Sequence, residues 1–322
     1  MTKLKVIELF AGIGSYSKAL KRLNVEHEVV SAIEFDAKTI NNYNLIHTTN
    51  YNSIDITIVD EKILPDCDLI CYSPPCQAFS SAGKRLGFED KRGILFFHAL
   101  RIIKEKKPKY CVMENVKGLT QKKLKNEFKE MLDELKLAGY NNYWKVINAK
   151  DHNIPQNRER VFIISIRKDI DDGDFVFPES HNTEIKLKDI IEDIVDDKYD
   201  FTDSMKERLV NSKRVEKYIN GVEIVYNQSG GARMGYTVFG INGIAPTLTS
   251  STSRHYERYM VKDRFRRLTP LTYFRLMGFD DYDYHVLKEN NVLDSQIYKV
   301  AGNSIVVDVL VDIFSSLFSL NT

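Results

Sequence analysis

Short apolar, β-rich runs recur through the first half of the chain, at Leu4–Phe10, Glu28–Phe35, Asp68–Tyr72, Tyr110–Asn115, Tyr143–Ala149 and Val161–Ile166. Several are separated by segments whose apolar residues recur at helical spacing. Tyr16–Leu23 is one, and a second carries Leu124, Phe128, Met131, Leu132 and Leu135 before Gly139, a helix stop. Strands alternating with helices over residues 3–168 predict an α/β fold built on a Rossmann-like, doubly wound, mostly parallel sheet. After Asp171-Asp172-Gly173-Asp174 the pattern turns irregular through about Lys262, punctuated by Gly230, Gly231, Gly235, Gly240 and Gly243. This predicts a second, smaller, irregular β-rich domain. From Arg266 helical periodicity returns, and the Ile305–Leu320 helix is expected to pack back on the first domain.

With 322 residues the chain has room for both cores. The closing apolar run is broken by Asp308 and Asp312, so no segment is expected to span a membrane. The first residues, Met1-Thr2-Lys3-Leu4-Lys5-Val6, enter a strand with no signal-peptide pattern, and a cytoplasmic location is expected. Cys67, Cys71, Cys76 and Cys111 lack paired C-x-x-C spacing, which predicts reduced thiols and no structural metal. Net charge is +1 but unevenly spread. Lys117, Lys122, Lys123, Lys125 and Lys129 fit the solvated face of an amphipathic helix. Between Arg254 and Arg267 six bases face only Glu257 and Asp263, with Tyr256, Tyr259 and Phe265 interleaved, a pattern that suits a nucleic-acid surface. Residues 189–200 are strongly acidic.

Candidate chemistry gathers where strands end. Ser73-Pro74-Pro75-Cys76-Gln77 follows the third strand, so Cys76 sits on stiff backbone at the rim of a sheet. A free thiol is only about 3% thiolate at neutral pH, and a lone Pro-Cys is more often an inert small hydrophobe, so neighbours must decide its role. The first strand runs into Phe10-Ala11-Gly12-Ile13-Gly14, a strand-to-helix turn that lets a nucleotide-like ligand approach the backbone. Glu34 closes the second strand 20 residues after Gly14, where a carboxylate can accept from ribose hydroxyls, and Asp55 lies beyond it within reach of an adenine amino group. These features favour an adenosine-containing cofactor, either a dinucleotide or S-adenosylmethionine.

Taken together, Phe10-Ala11-Gly12-Ile13-Gly14, Pro74-Pro75-Cys76-Gln77, Glu114-Asn115-Val116, Gln156-Asn157-Arg158-Glu159-Arg160 and Gly302-Asn303-Ser304 stand in the order and spacing of the cytosine-C5 DNA methyltransferases. The chain closely resembles bacterial and phage modification enzymes of that family over residues 4–168 and 264–317. The resemblance implies a class I methyltransferase fold, with residues 1–173 and 264–322 as catalytic domain and 174–263 as target-recognition domain. It implies that S-adenosyl-L-methionine is held by Phe10, Ala11, Gly12, Gly14, Glu34, Phe35, Asp55, Ile56, Pro75, Asn303 and Ser304. Cys76 would add to C6 of cytosine, a protonated Glu114 would bind N3 and the exocyclic amine, and Arg160 would bind O2. Arg158 or Arg160 would favour the Cys76 thiolate.

The implied partner is double-stranded DNA with the target base flipped out. The loop Phe79–Gly93, with Ser80, Lys84 and Arg85, reads as a lid that closes over it. Gln228, Arg233, Thr247, Leu248 and Arg254 are the expected contacts of the recognition domain, Thr247-Leu248 resembling the family's Thr-Leu element. One departure is visible: Leu271-Thr272 stands where the family has Arg-Glu, which puts a supporting salt bridge in doubt. A monomer is expected, with any cognate restriction endonuclease acting separately. Rival readings fit less well. A zinc deaminase needs a second cysteine where Phe79 stands, and a nicotinamide dehydrogenase leaves Cys76, Glu114 and Arg160 unused. A tRNA cytosine methyltransferase would share the chemistry, and a catalytically silent DNA-binding protein would not need all of these groups.

Overall fold

The computed structural model describes residues 3–75, 95–181, 184–202, 206, 213–227, 237–250 and 257–320. The chain packs as two compact units: Met1–Ile147 with Glu159–Glu179 and Val309–Thr322, and Asn148–Arg158 with Ser180–Asp308.

The first unit holds strands β1 (Leu4–Leu9), β2 (His27–Ile33), β3 (Leu69–Tyr72), β4 (Tyr110–Val116), β5 (Tyr140–Asn148) and β7 (Glu159–Arg167) in the order β2-β1-β3-β4-β7-β5. β1 runs parallel to β2 and β3, β3 parallel to β4, and β4 antiparallel to β7, so the sheet is mostly parallel. Helices α1 (Ser15–Arg22), α2 (Ala37–His47), α3 (Leu95–Lys106) and α4 (Lys125–Leu137) connect these strands. β3 is buried along its whole length, as a central parallel strand covered on both faces must be. Its core includes Ile7, Leu9, Ile70, Phe96, Leu100, Met113, Met131 and Ile163. Gly139, at φ +100°, ends α4 in the left-handed conformation, and β5 starts at the next residue, three before the sequence expectation. Helix α8 (Val307–Leu317) contributes Phe314, 6.4 Å from the ring of Tyr16.

The second unit contains a five-stranded sheet, β13-β12-β10-β9-β8, formed by β8 (Lys213–Ile219), β9 (Val222–Asn227), β10 (Thr237–Phe239), β12 (Arg258–Val261) and β13 (Arg264–Arg266). A separate two-stranded ladder joins β6 (Gln156–Asn157) to β11 (Ala245–Pro246). Helices α5 (Pro270–Leu276), α6 (Asp281–Glu289) and α7 (Asp294–Asn303) complete it. The packed unit is therefore wider than the segment 174–263, because β6 pairs with β11 and the β12–β13 hairpin carries the sheet past Asp263.

The closing apolar stretch and the basic run both bear on the sequence expectations. The 294–317 stretch is, by length and composition, apolar enough to cross a membrane, but it is mostly buried and breaks between α7 and α8, with its apolar faces spent on the protein interior. The basic and aromatic run that suggested a nucleic-acid surface is, in its described part, largely internal. Tyr259 and Arg266 are buried, and Phe265 packs on Tyr226 with ring centroids 5.8 Å apart. Arg264 donates to Asp200 at 3.1 Å and to Asp197 at 2.8 Å, and Lys262 lies 3.7 Å from Asp193. The acidic stretch thus supplies ion-pair partners for two of these bases within the unit.

Candidate active site and cofactor cradle

In the first unit the chemistry collects at the carboxyl ends of the parallel strands, where α/β sheets bind ligands. After β1 the backbone takes left-handed conformations at Phe10 (φ +57°), Gly12 (φ +58°) and Gly14 (φ +79°). Glycine is required at the last two for different reasons. A β-carbon at Gly14 would run into the rings of His47 and Tyr43, so the turn packs tightly against α2. A β-carbon at Gly12 would meet nothing within 4 Å, so open space lies over the backbone there. That space is the cradle a nucleoside cofactor requires, and the residues around it fit one. Glu34 accepts from Gly12 N at 3.1 Å through Oε2 and from Asp36 N at 2.9 Å through Oε1. Burial pushes its carboxyl above the ordinary range. Each oxygen keeps a lone pair for a further donor. Phe35, next to it, is 74% exposed, an uncommon position for a large ring without a partner. Asp55 caps a 3-10 turn by accepting from Thr57 N at 2.9 Å, and Ile56 is buried beneath it.

Glu8, two residues before the Phe10–Gly14 turn, has no role in the sequence expectations. It is fully buried on β1, and its Oε1 accepts from Ser17 N at 2.8 Å and Ser17 Oγ at 2.6 Å. The helix N-cap is Gly14, which has no side chain, so Glu8 satisfies an amide in the first turn of α1 from outside. Burial raises its pKa to about 7. Among the described residues its Oε2 has no hydrogen-bond partner. A charged residue inside an otherwise apolar strand was the available signal. His47 is held neutral by burial, with its pKa lowered to about 4, and donates from Nε2 to Ile13 O at 3.0 Å.

The loop after β3 is tied from two sides. Tyr16, in the first turn of α1, donates to Tyr72 O at 3.2 Å and lies 2.9 Å from Ser73 Oγ. Asn115, buried on β4, donates from Nδ2 to Pro74 O at 3.2 Å. Pro75 is half-buried at the end of this anchored segment. Cys76, Ser80, Lys84 and Arg85 lie outside the described residues, as do Gln228, Arg233 and Arg254. One strand further, Glu114 Oε1 and Arg160 Nε are 3.0 Å apart and mostly shielded from solvent.

The second unit places the other expected residues together. Arg158 is buried and donates to the carbonyls of Leu248, Gly302 and Ser304 at 2.9–3.1 Å. A guanidinium donating to three carbonyls holds backbone segments together, while Cys76, whose thiolate it was expected to favour, lies outside the described residues. Thr247 Oγ1 donates to Asn157 O at 2.6 Å, and Leu248 is buried, with its N–H donating to Gln156 Oε1. Its side chain therefore packs inside the unit, where a DNA contact was expected. Asn303 is exposed and Ser304 is buried, its hydroxyl donating to Val300 O. The Leu271-Thr272 departure is compensated locally. Thr269 and Thr272 both donate to the carboxylate of Glu192, so buried hydroxyls replace the missing ion pair.

Comparison with known proteins agrees with this arrangement. The family described as C-5 cytosine-specific DNA methylase matches residues 4–319. The type II methyltransferase M.HhaI of Haemophilus parahaemolyticus is 35% identical, covering 96% of this chain and 93% of its own. The orphan methyltransferase M.SPRI of Bacillus phage SPR is 31% identical over 98% of both. The crystal structure of S. pombe Dnmt2 methyltransferase superposes with a TM-score of 0.75 over the whole of both chains at 22% identity, a likeness of fold.

Proposed function

We infer function from the premise that this chain belongs to the C-5 cytosine-specific DNA methylase family. It is a DNA (cytosine-5-)-methyltransferase with relatives among type II and phage modification enzymes. We propose that it acts on a cytosine flipped out of a short specific duplex sequence, and that S-adenosylmethionine is its cofactor. When bound, that cofactor supplies an electrophilic methyl group. Gly12, Glu34, Phe35 and Asp55 would hold it in the first unit.

Cytosine C5 is a poor nucleophile until a thiolate adds at C6, and Cys76 would supply that thiolate. The addition places negative charge on N3 and O2 of the ring, where hydrogen-bond donors stabilise the transition state. Glu114, in its acid form, would donate at N3, and Arg160 would donate at O2. Ser73, Pro74 and Pro75 would present Cys76, held by Tyr16 and Asn115. Target choice is assigned to residues 174–263. The observation that carries the reading is the ion pair of Glu114 on β4 with Arg160 on β7, β4 lying next to β3, the strand that leads into Pro74-Pro75.

A duplex containing 5-fluorocytosine tests it, because fluorine blocks elimination and leaves the base joined to the nucleophile. With S-adenosylmethionine present, the protein and duplex should remain joined through denaturing electrophoresis. A Cys76→Ser variant that still trapped DNA would remove Cys76 from this role.

A further inference from the structure

The segment that carries Asp55 is held from several sides within the first unit. Ile54 N donates to Glu34 O at 2.8 Å, so the backbone ahead of Asp55 is tied to the backbone of Glu34. Ile56 is buried, and Ile54 and Val59 pack against the same core cluster. Arg101, on α3, completes the set. Its Nη2 donates to Ile56 O at 2.7 Å, its Nη1 donates to Glu61, and its Nε lies 3.4 Å from His98 Nδ1. Burial and the guanidinium itself hold the His98 imidazole below its ordinary pKa, so the neutral ring accepts that third bond.

One peptide group connects Arg101 to Asp55. The carbonyl held by Arg101 belongs to Ile56, and the N–H on the same planar unit belongs to Thr57, which donates to Asp55 Oδ1 at 2.9 Å. Asp55 thereby caps the 3-10 turn Ile56–Ile58, and its own carbonyl accepts from Ile58 N at 3.2 Å. Rotating the Ile56–Thr57 peptide would withdraw the N–H from the carboxylate. Arg101 resists that rotation, because a planar guanidinium with its other donors on Glu61 and His98 has little freedom to follow the carbonyl. The carboxylate is therefore oriented from a different element.

We propose that Arg101 is a positioning residue for nucleobase selection: it aims the Asp55 carboxylate so that a cofactor with the amine of adenine is taken and one with an oxygen in its place is refused. The proposal rests on the reading that Asp55 meets the adenine amino group. A carboxylate only accepts, so it gains a bond from the amine and repels an oxo group. That distinction holds only while the carboxylate is aimed, since a displaced one is satisfied by water with either ligand.

The test uses the full chain and two non-reacting probes, S-adenosylhomocysteine and S-inosylhomocysteine, in which oxygen replaces the amine. Calorimetry gives a Kd for each. The wild type should prefer the adenosine compound by about 100-fold or more, and Arg101→Met should cut that preference to about tenfold by weakening that compound alone. Arg101→Lys, which keeps one charged donor, should recover part of the preference. Glu61→Gln loosens the guanidinium without removing it, so it should lower the preference in the same direction, and it covers the case in which Arg101→Met fails to fold. A folded Arg101→Met protein that binds both probes more weakly by the same factor overturns the proposal, as does an unchanged preference in either folded variant. Asp55→Asn separates the two levels, since an amide donates to the oxo group and should move the preference towards the inosine compound. If the wild type shows no preference, or Asp55→Asn leaves it unaltered, the reading of Asp55 falls and the role of Arg101 with it. If Asp55→Asn shifts the preference while Arg101→Met keeps it, the proposal for Arg101 alone falls.

Discussion

Arg160 and Glu114 meet diagonally on adjacent antiparallel strands, two residues out of direct register, with Arg160 opposite Val116 and Glu114 opposite Phe162, and Nε lies 3.0 Å from Oε1. Each group expected to touch the target base is thus the other's partner while the base is absent. Arg160→Ala would remove the ion pair from a shielded carboxylate and should cost about 3 kcal/mol of stability, read by urea unfolding. Glu114→Gln should keep the fold and lower kcat about 100-fold or more, measured by transfer of labelled methyl groups to DNA. Wild-type turnover in the glutamine variant would remove Glu114 from the chemistry.

The two glycines of the turn after β1 should separate folding from binding. Gly12→Ala meets open space, so it should fold with a loss of about 1–2 kcal/mol from its left-handed backbone, yet bind S-adenosylmethionine far more weakly. Gly14→Ala should fail at folding, because its methyl group would collide with His47 and Tyr43. Thermal melts and calorimetry on the same samples distinguish the outcomes, and a Gly12→Ala protein with unchanged cofactor affinity would place the cofactor elsewhere.

Tyr16→Phe removes the hydroxyl that reaches Tyr72 O and Ser73 Oγ, at a cost of about 1 kcal/mol. The lost bonds anchor the segment that presents Cys76. We expect kcat to fall several-fold with duplex affinity little changed, and Asn115→Ala to act in the same direction. Equal falls in affinity and kcat would instead indicate general loosening of the fold.

Glu8 and His47 make stability depend on pH in opposite senses. The raised pKa of Glu8, about 7 against 4.5, gives a contribution present in full below pH 4.5 and lost as pH rises through 7. His47, lowered to about 4 from 6.5, contributes above pH 6.5, and its share is lost as pH falls through 4. Between pH 4.5 and 6.5 the two slopes largely cancel. Glu8→Gln should therefore raise stability at pH 8 by up to about 3 kcal/mol and expose an acid limb of about 1.4 kcal/mol per pH unit. Urea denaturation from pH 4.5 to 8 measures both, and parallel curves for variant and wild type would contradict the assignment.

The sequence by itself determined the sheet and the positions of its active edge. Runs such as Leu4–Phe10 and Asp68–Tyr72 are short, apolar and bounded by turns, and their burial follows from local pattern alone. Phe10–Gly14, Glu34, Pro75, Glu114 and Arg160 could be named as candidates because residue type and spacing are both written along the chain. Tertiary structure decided which charges are available. Folding brought residues 193–200 against Arg264 and Lys262, and gave Arg158 the carbonyls of Leu248, Gly302 and Ser304 as partners. Glu8 carried no visible role until burial beneath the glycine turn made it the cap of a helix that has none of its own. Pattern along a chain reports which residues are buried. The partner of each buried charge is set by contacts between segments tens to hundreds of residues apart, and no local spacing encodes them.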